Sequence, residues 1–294
     1  MNVVLALIGL CGVSASGPLM AGANAPALAI SFWRNAMASA LLLPVAATVR
    51  RRELRELTSS DLRAIVFAGA MLAGHFATWV TSLKMTSVAS ATALVCLQVG
   101  WIVFFERLRG TPADGGVVVG LLLAVGGVVV VSGVDLSLST RALVGDLLAL
   151  LGGAFAALYT MTGAAVRRRV STISYTALCY TTCAAVLLVF ATASGQELIG
   201  FDARTWAAIV GVMVAAQLLG HSLFNHLLAV MSPTLVSLIL LLEVPGAALL
   251  AGVFLGQAPG FGVYVGLCLI LAGLAVVVTR RPPDADSVPV GPAD

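Results

Sequence analysis

Residues 116–131, GVVVGLLLAVGGVVVV, recur at 262–277 as GVYVGLCLILAGLAVV, with nine of sixteen positions identical at a shift of 146 residues. A second match at a shift of 145 aligns Ser87–Gln98 (SVASATALVCLQ) with Ser232–Glu243 (SPTLVSLILLLE). The chain is therefore one unit written twice, and all four segments are apolar enough to lie in lipid. Membrane proteins built this way place their sites between the repeats.

Composition supports the membrane reading. The chain is 60% hydrophobic and 10% charged, with a mean hydropathy of +1.06. A soluble domain carries ~25% charged residues. The basic residues sit in short connections between apolar runs, which argues against a nucleic-acid partner. Lysine occurs once, at Lys84, against fifteen arginines. With the wealth of Ala, Val, Leu and Gly, that usage suggests a high-GC bacterial source and so an inner-membrane location.

A span needs ~20 apolar residues to cross ~30 Å of hydrocarbon. Ten runs qualify: 3–21, 28–49, 62–83, 87–105, 116–133, 142–165, 173–193, 205–227, 232–254 and 261–279. The first run lacks a preceding Lys or Arg, so it reads as a span rather than a cleavable signal. The expected fold class is an all-α membrane protein of ten transmembrane helices. Residues 1–135 form the first repeat, 142–279 the second, and 280–294 a disordered cytoplasmic tail rich in polar residues and proline.

Charge gives the orientation. Even-numbered connections and the tail hold twelve of the sixteen cationic residues, from Arg50, Arg51 and Arg52 to Arg280 and Arg281. The other side holds Lys84, Arg141 and Arg204. The positive-inside rule therefore puts both termini in the cytoplasm. Five spans per repeat is an odd number, so the second copy enters from the opposite side and the repeat is inverted.

Three stretches resemble the drug/metabolite transporter superfamily, EamA type: Gly145–Leu151 with Ala157-Leu158-Tyr159, Leu240–Pro245 followed by Leu255-Gly256-Gln257, and Arg34 early in the second run. The resemblance reaches to about residue 279. It implies a secondary transporter that exports a small metabolite, amino-acid-like compound or drug by alternating access. The chain departs from the family at two points. Gln98-Val99-Gly100 stand where a proline is usual, and Gln257 replaces a usual Glu that is present in the first repeat as Glu106.

Candidate site residues follow from depth and polarity. Glu243 lies about eleven residues into the ninth run, roughly 16 Å deep at the helical rise. An acid there costs ~2.5–3.5 kcal/mol and usually faces a cavity on a substrate or proton path. The alternative is a protonated Glu bonded between helices. Gln98 reaches the equivalent depth and either binds substrate or joins two helices. His75 and His221 each follow a glycine at nearly matched repeat positions, and serve either a cavity or helix packing. Asn225 shares a face with His221. Arg34 either snorkels to water or binds an anionic group, and Asp146, read as sitting at the start of the sixth span, is its candidate partner in an outer gate. Trp33, Trp79, Trp101 and Trp206 fall near span ends, as interfacial anchors do. Trp79 and Tyr159 are also candidates for the aromatic wall of a substrate site.

Gly116 with Gly120, and Gly262 with Gly266, form matched small-xxx-small faces that pack within the monomer or in a homodimer. The third and fourth spans, with the eighth and ninth, are expected to line the site. The five cysteines lie in apolar runs as packing residues. No phosphate loop, zinc motif or nucleophile elbow occurs, so neither a cofactor nor a metal is expected, and no enzyme activity. The partners are a small-molecule substrate and the bilayer. Two other functions fit the same composition: a nutrient importer or facilitator, and an intramembrane enzyme or assembly factor acting on lipid-linked substrates. The latter needs polar residues clustered at one interface.

Overall fold

The computed structural model describes residues 2–110, 115–133, 139–257 and 260–280. Every regular element among them is helical. That follows from the apolar composition, because backbone groups in hydrocarbon must be satisfied within the segment.

In chain order the helices are α1 (Asn2–Ser14), α2 (Ser16–Gly22), α3 (Ala27–Val49), α4 (Arg51–Glu56) and α5 (Ser59–Ser82). Then come α6 (Val88–Cys96), α7 (Gln98–Leu108), α8 (Gly115–Gly133), α9 (Thr140–Arg167) and α10 (Thr172–Ala193). The chain continues through α11 (Ala203–Val212), a π-helical segment (Met213–His221), α12 (Ser222–Leu227), α13 (Pro233–Leu240), α14 (Glu243–Leu255) and α15 (Phe261–Arg280). Eight helical stretches, some formed by two or three of these elements in series, are long and apolar enough to cross a membrane. The other two apolar runs form α8 and α15. Residues 281–294, where most of the expected tail falls, lie outside the described residues; Arg280, counted with the tail, ends α15.

Polar side chains set the helix starts. Thr58 and Asp61 cap α5 reciprocally. Ser87, Ser139, Ser171 and Ser232 each accept a backbone N–H three residues on. Asp202 does the same for α11. Each satisfies a donor that the first turn leaves free. Gly256, left-handed at φ 66°, ends α14.

The main packing partners are α8 with α15, α5 with α9, α3 with α10, and α1 with the π segment. Each of these pairs joins one half of the chain to the other. The α8–α15 crossing shows why glycine is required there. A Cβ at Gly127 would stand 2.5 Å from the Gly266 carbonyl oxygen, and one at Gly273 would collide with the Gly120 carbonyl. As α8 is followed backward from Gly127 to Gly120, its contacts move forward along α15 from Gly266 to Gly273, so the two helices run antiparallel. These glycine faces meet each other within one chain.

Three spans are interrupted. The first breaks at Ala15 between α1 and α2, the fourth at Leu97 between α6 and α7, and the ninth at Leu241–Leu242 between α13 and α14. Pro245 falls in the first turn of α14, where its missing N–H costs nothing. No proline stands at the Leu97 break, so that interruption does not depend on one. Large apolar side chains such as Val3, Leu147 and Phe254 are exposed on the outer surface, as a lipid-facing wall requires.

Candidate functional site

The two matched interruptions define the site. Gln98 is the first residue of α7, and Glu243 the first of α14. Both line a central cavity of about 50 Å³. Two half-helices therefore direct their N-terminal ends toward it, which favours negative charge nearby.

Seven of the eight residues picked out from the sequence line this cavity: Glu243, Gln98, His75, His221, Asn225, Trp79 and Tyr159. The eighth, Arg34, is behind its wall. Val13 and Ser16 from the first span, and Ala156, Tyr159 and Thr160 from α9, also contribute. The expectation that the third, fourth, eighth and ninth spans line the site is corrected to include the first and sixth. Apart from Tyr159, already a candidate, their residues are small or apolar or a lone hydroxyl, so polarity gave little signal for these spans.

Each side chain has a distinct setting. The Glu243 carboxyl is 7% exposed and has no hydrogen bond among the described residues. Gln98 Nε2 donates to Ser237 Oγ at 3.0 Å, which leaves its amide oxygen free to accept. His75 Nδ1 lies 3.1 Å from the Gly152 carbonyl. A carbonyl only accepts, so Nδ1 carries the hydrogen and Nε2 remains an acceptor. Trp79 stacks on the His75 ring at 5.5 Å and is 3% exposed. It is a wall of the cavity, not an interfacial anchor. The His75 and His221 rings, 146 residues apart, meet edge to face at 6.3 Å.

A polar relay runs from the cavity into the bundle. Tyr159 Oη donates to Asn225 Oδ1 at 2.8 Å, and Asn225 Nδ2 donates to Tyr180 Oη at 3.4 Å. Tyr180 Oη is 3.4 Å from the Gln217 carbonyl and 3.2 Å from Ser222 Oγ. Gln217 Nε2 donates to Asn35 Oδ1 at 2.9 Å, and Gln217 Oε1 accepts from Arg34 Nε at 2.8 Å. Gln217 was missed in the sequence, although a single amide within an apolar run is the same signal that marked Gln98. It sits in the π segment, a feature that often accompanies functional sites.

Arg34 is fully buried, which rules out snorkelling to water. Its guanidinium lies 4.2 Å over the Phe76 ring and bonds Gln217 rather than Asp146. Phe76 in turn contacts the His221 ring at 5.3 Å, so one ring separates the cation from the cavity edge. Asp146 lies nearly two turns inside α9, whose start is capped by Ser139. The outer gate between Arg34 and Asp146 is therefore not the observed arrangement. Trp33 and Trp206 pack together at 5.2 Å.

Polar contacts join the helices at both ends of the bundle. At the arginine-rich end, Glu53 accepts from Ser171 N at 2.5 Å, Ser171 Oγ at 2.6 Å and Ser174 Oγ at 3.0 Å. Arg169 pairs with Asp61 at 2.8 Å. Arg167, expected in a solvated loop, is 3% exposed and donates to the Asn225 carbonyl at 3.0 Å. At the opposite end, Gln196 Oε1 accepts from Leu28 N at 3.3 Å, and Gln257 Oε1 accepts from Val88 N at 3.2 Å. Lys84 Nζ donates to the Ala23 carbonyl at 2.5 Å. Burial of this amine lowers its pKa from the usual lysine value. About 50 Å³ holds a few waters, well short of the ~300–1,000 Å³ of ligand sites. The cavity must widen to admit a solute of that size. No group of three or more metal-ligating side chains occurs among the described residues.

The profile of the EamA-like transporter family matches residues 1–133 and 143–279. A protein of Archaeoglobus fulgidus described as an uncharacterized transporter is 23% identical over 258 residues, covering 86% of this chain and 88% of that protein. A crystal structure, 19% identical, superposes with a TM-score of 0.70 over 95% of this chain and 98% of the other. At that identity it supports the fold alone.

Proposed function

As a member of the EamA-like transporter family, the chain is a multi-pass membrane transporter, and we propose that it works by alternating access around the central cavity. The observation that carries this reading is the pairing of Gln98 with Glu243. They stand at matched repeat positions, each opens the second half of an interrupted helix, and both line one cavity. In this reading ten spans form two inverted five-helix halves, residues 1–135 and 142–279, with α8 and α15 as the fifth and tenth spans. The antiparallel glycine crossing of those two helices supports inversion. So does the exchange in packing: the third span meets the sixth, and the eighth meets the first, as a two-fold axis in the membrane plane demands.

Both termini and the tail lie in the cytoplasm, and the protein resides in a bacterial inner membrane. Its cargo is a small metabolite, amino-acid-like compound or drug, moved outward. No chemical step on the cargo is involved. Glu243 carries the coupling proton: its carboxyl lines the cavity with no hydrogen bond among the described residues, so a proton or a cationic group of the cargo can occupy it in turn. Opening to the cytoplasm requires breaking the Glu53 and Asp61 contacts. Opening to the other side requires breaking those of Gln196, Gln257 and Lys84.

Metabolite profiles inside and outside cells, with and without the gene, should reveal the cargo. Uptake by inverted vesicles driven by an imposed proton gradient then tests direction and coupling. Export predicts accumulation in inverted vesicles that collapses with the gradient. Equal movement both ways, independent of the gradient, contradicts it and favours a facilitator.

A further inference from the structure

A second and far larger cavity, of about 580 Å³, lies between α2, the start of α11 and the end of α14. That volume falls within the ~300–1,000 Å³ typical of ligand sites. Its polarity is segregated along the spans. Leu19, Ala208 and Leu250 form the deeper wall, about one turn inside their helices, while Asn24, Asp202, Arg204 and Thr205 form the mouth where those helices begin or end, with Phe254 and Leu255 beside them in the last turn of α14. Phe254 is 71% exposed, so the cleft opens sideways to hydrocarbon. It is walled off from the central cavity by the first span. Val13 and Ser16 face the centre, whereas Ala15, Pro18 and Leu19 face the cleft.

Some of the mouth's polar groups are engaged and others are free. Asp202 accepts from Thr205 N at 2.7 Å, and Thr205 Oγ1 accepts from Asn24 N at 3.3 Å. The Arg204 guanidinium and the Asn24 side-chain amide have no hydrogen bond among the described residues, and both side chains are exposed. The mouth thus offers one cation, one neutral donor and one carboxylate, with the charges of Arg204 and Asp202 close enough to interact. A ligand that fits has an apolar tail and a head bearing both charges.

We propose that this cleft binds one zwitterionic phospholipid with a primary ammonium. An acyl chain lies between α2, α11 and α14, its phosphodiester meets Arg204 and Asn24, and its ammonium meets Asp202. The apolar depth disfavours water, and the surrounding bilayer supplies chains directly. The test reads lipid binding directly, so this proposal stands or falls separately from the transport reading.

The test uses the full chain, purified in detergent and stripped of lipid, with native mass spectrometry during titration with phosphatidylethanolamine or phosphatidylglycerol of identical chains. The wild type should bind one phosphatidylethanolamine in preference to phosphatidylglycerol. Arg204→Gln, at an exposed position, should weaken that binding about tenfold, the scale of one charge-assisted hydrogen bond. Asp202→Asn keeps a helix-capping side chain and should erase the preference between the two lipids. Ala208→Trp fills the cleft and should abolish the stoichiometric adduct. Phosphatidylethanolamine binding that is unchanged in Arg204→Gln, or a wild type that prefers phosphatidylglycerol, overturns the proposal. So does an Ala208→Trp protein that folds and binds as the wild type does. If Ala208→Trp fails to fold, Arg204→Gln and Asp202→Asn still decide the matter.

Discussion

Corresponding contacts in the two halves are made by an acid in one copy and an amide in the other. At the centre, Gln98 is tied to Ser237 whereas the Glu243 carboxyl lines the cavity with no hydrogen bond among the described residues. At the ends, Glu53 holds the start of α10 with three contacts, while Gln196 holds the start of α3 with one. The two caps lie 143 residues apart, close to the repeat shift. The backbone is doubled, but the chemistry is not. A device with identical halves has no preferred direction, and these acid–amide differences are where direction and coupling can enter.

The largest effect should come at the centre. Glu243→Gln makes the two interruptions alike, and gradient-driven transport in proteoliposomes should fall about a hundredfold, the scale of losing a positioned proton carrier. Gln98→Ala should cost only about three- to tenfold, since it removes one neutral hydrogen bond. Equal losses would mean that the asymmetry is incidental. An unchanged gradient response in Glu243→Gln would remove that residue from coupling.

The glycine crossing is the symmetric control. Gly127→Leu and Gly273→Leu each drive a side chain into a backbone carbonyl, and each should destabilise the detergent-purified protein by about 1–3 kcal/mol. Matching falls in thermal midpoint are expected. A large fall for one substitution alone would show that the two sides of the crossing are not equivalent.

At the ends, Glu53→Ala should lower stability by about 1.5–3 kcal/mol and Gln196→Ala by about 1 kcal/mol. In the wild type, site-directed labelling should find residues behind the Glu53 contacts less accessible than those behind the Gln196 contact. The smallest effect concerns helix starts. Span three is capped by the Thr58 hydroxyl and Asp61, whereas α11 is capped by the Asp202 carboxylate. The Thr205 N–H holds that exposed carboxyl below the usual aspartate value. Its stabilisation is therefore present above the ordinary aspartate range and lost as pH falls through the lowered value. Hydrogen exchange at the Thr205 amide, corrected for intrinsic rates, should speed up only in that acidic window.

Much of this was legible in the sequence because lipid makes hydropathy and helix length nearly synonymous. The run 28–49 became Ala27–Val49, and 173–193 became Thr172–Ala193. Single polar residues deep in apolar runs, such as Glu243, Gln98 and His75, were conspicuous for the same reason. What stayed hidden depends on close packing rather than on polarity. The π segment faces α1 at contacts so tight that a Cβ at Gly12 would strike the Ala215 carbonyl, and no hydropathy pattern encodes that register. Arg34 stays open in the sequence between snorkelling to water and binding an anion, because its partners, Phe76 and Gln217, lie 42 and 183 residues away. The contribution of the first span to the cavity escaped notice because Val13 looks like any other lining of a helix, and of the sixth only Tyr159 stood out.

Arg51 and Glu197 are exposed, 146 residues apart, and occupy corresponding connections of the two halves. In a variant without native cysteines, Arg51→Cys and Glu197→Cys, made singly, can be labelled with a membrane-impermeant thiol reagent applied to right-side-out or inverted vesicles. Inverted halves predict that Arg51→Cys reacts only from the cytoplasmic side and Glu197→Cys only from the opposite side. Labelling of both from the same side would contradict the shared central cavity on which the account rests.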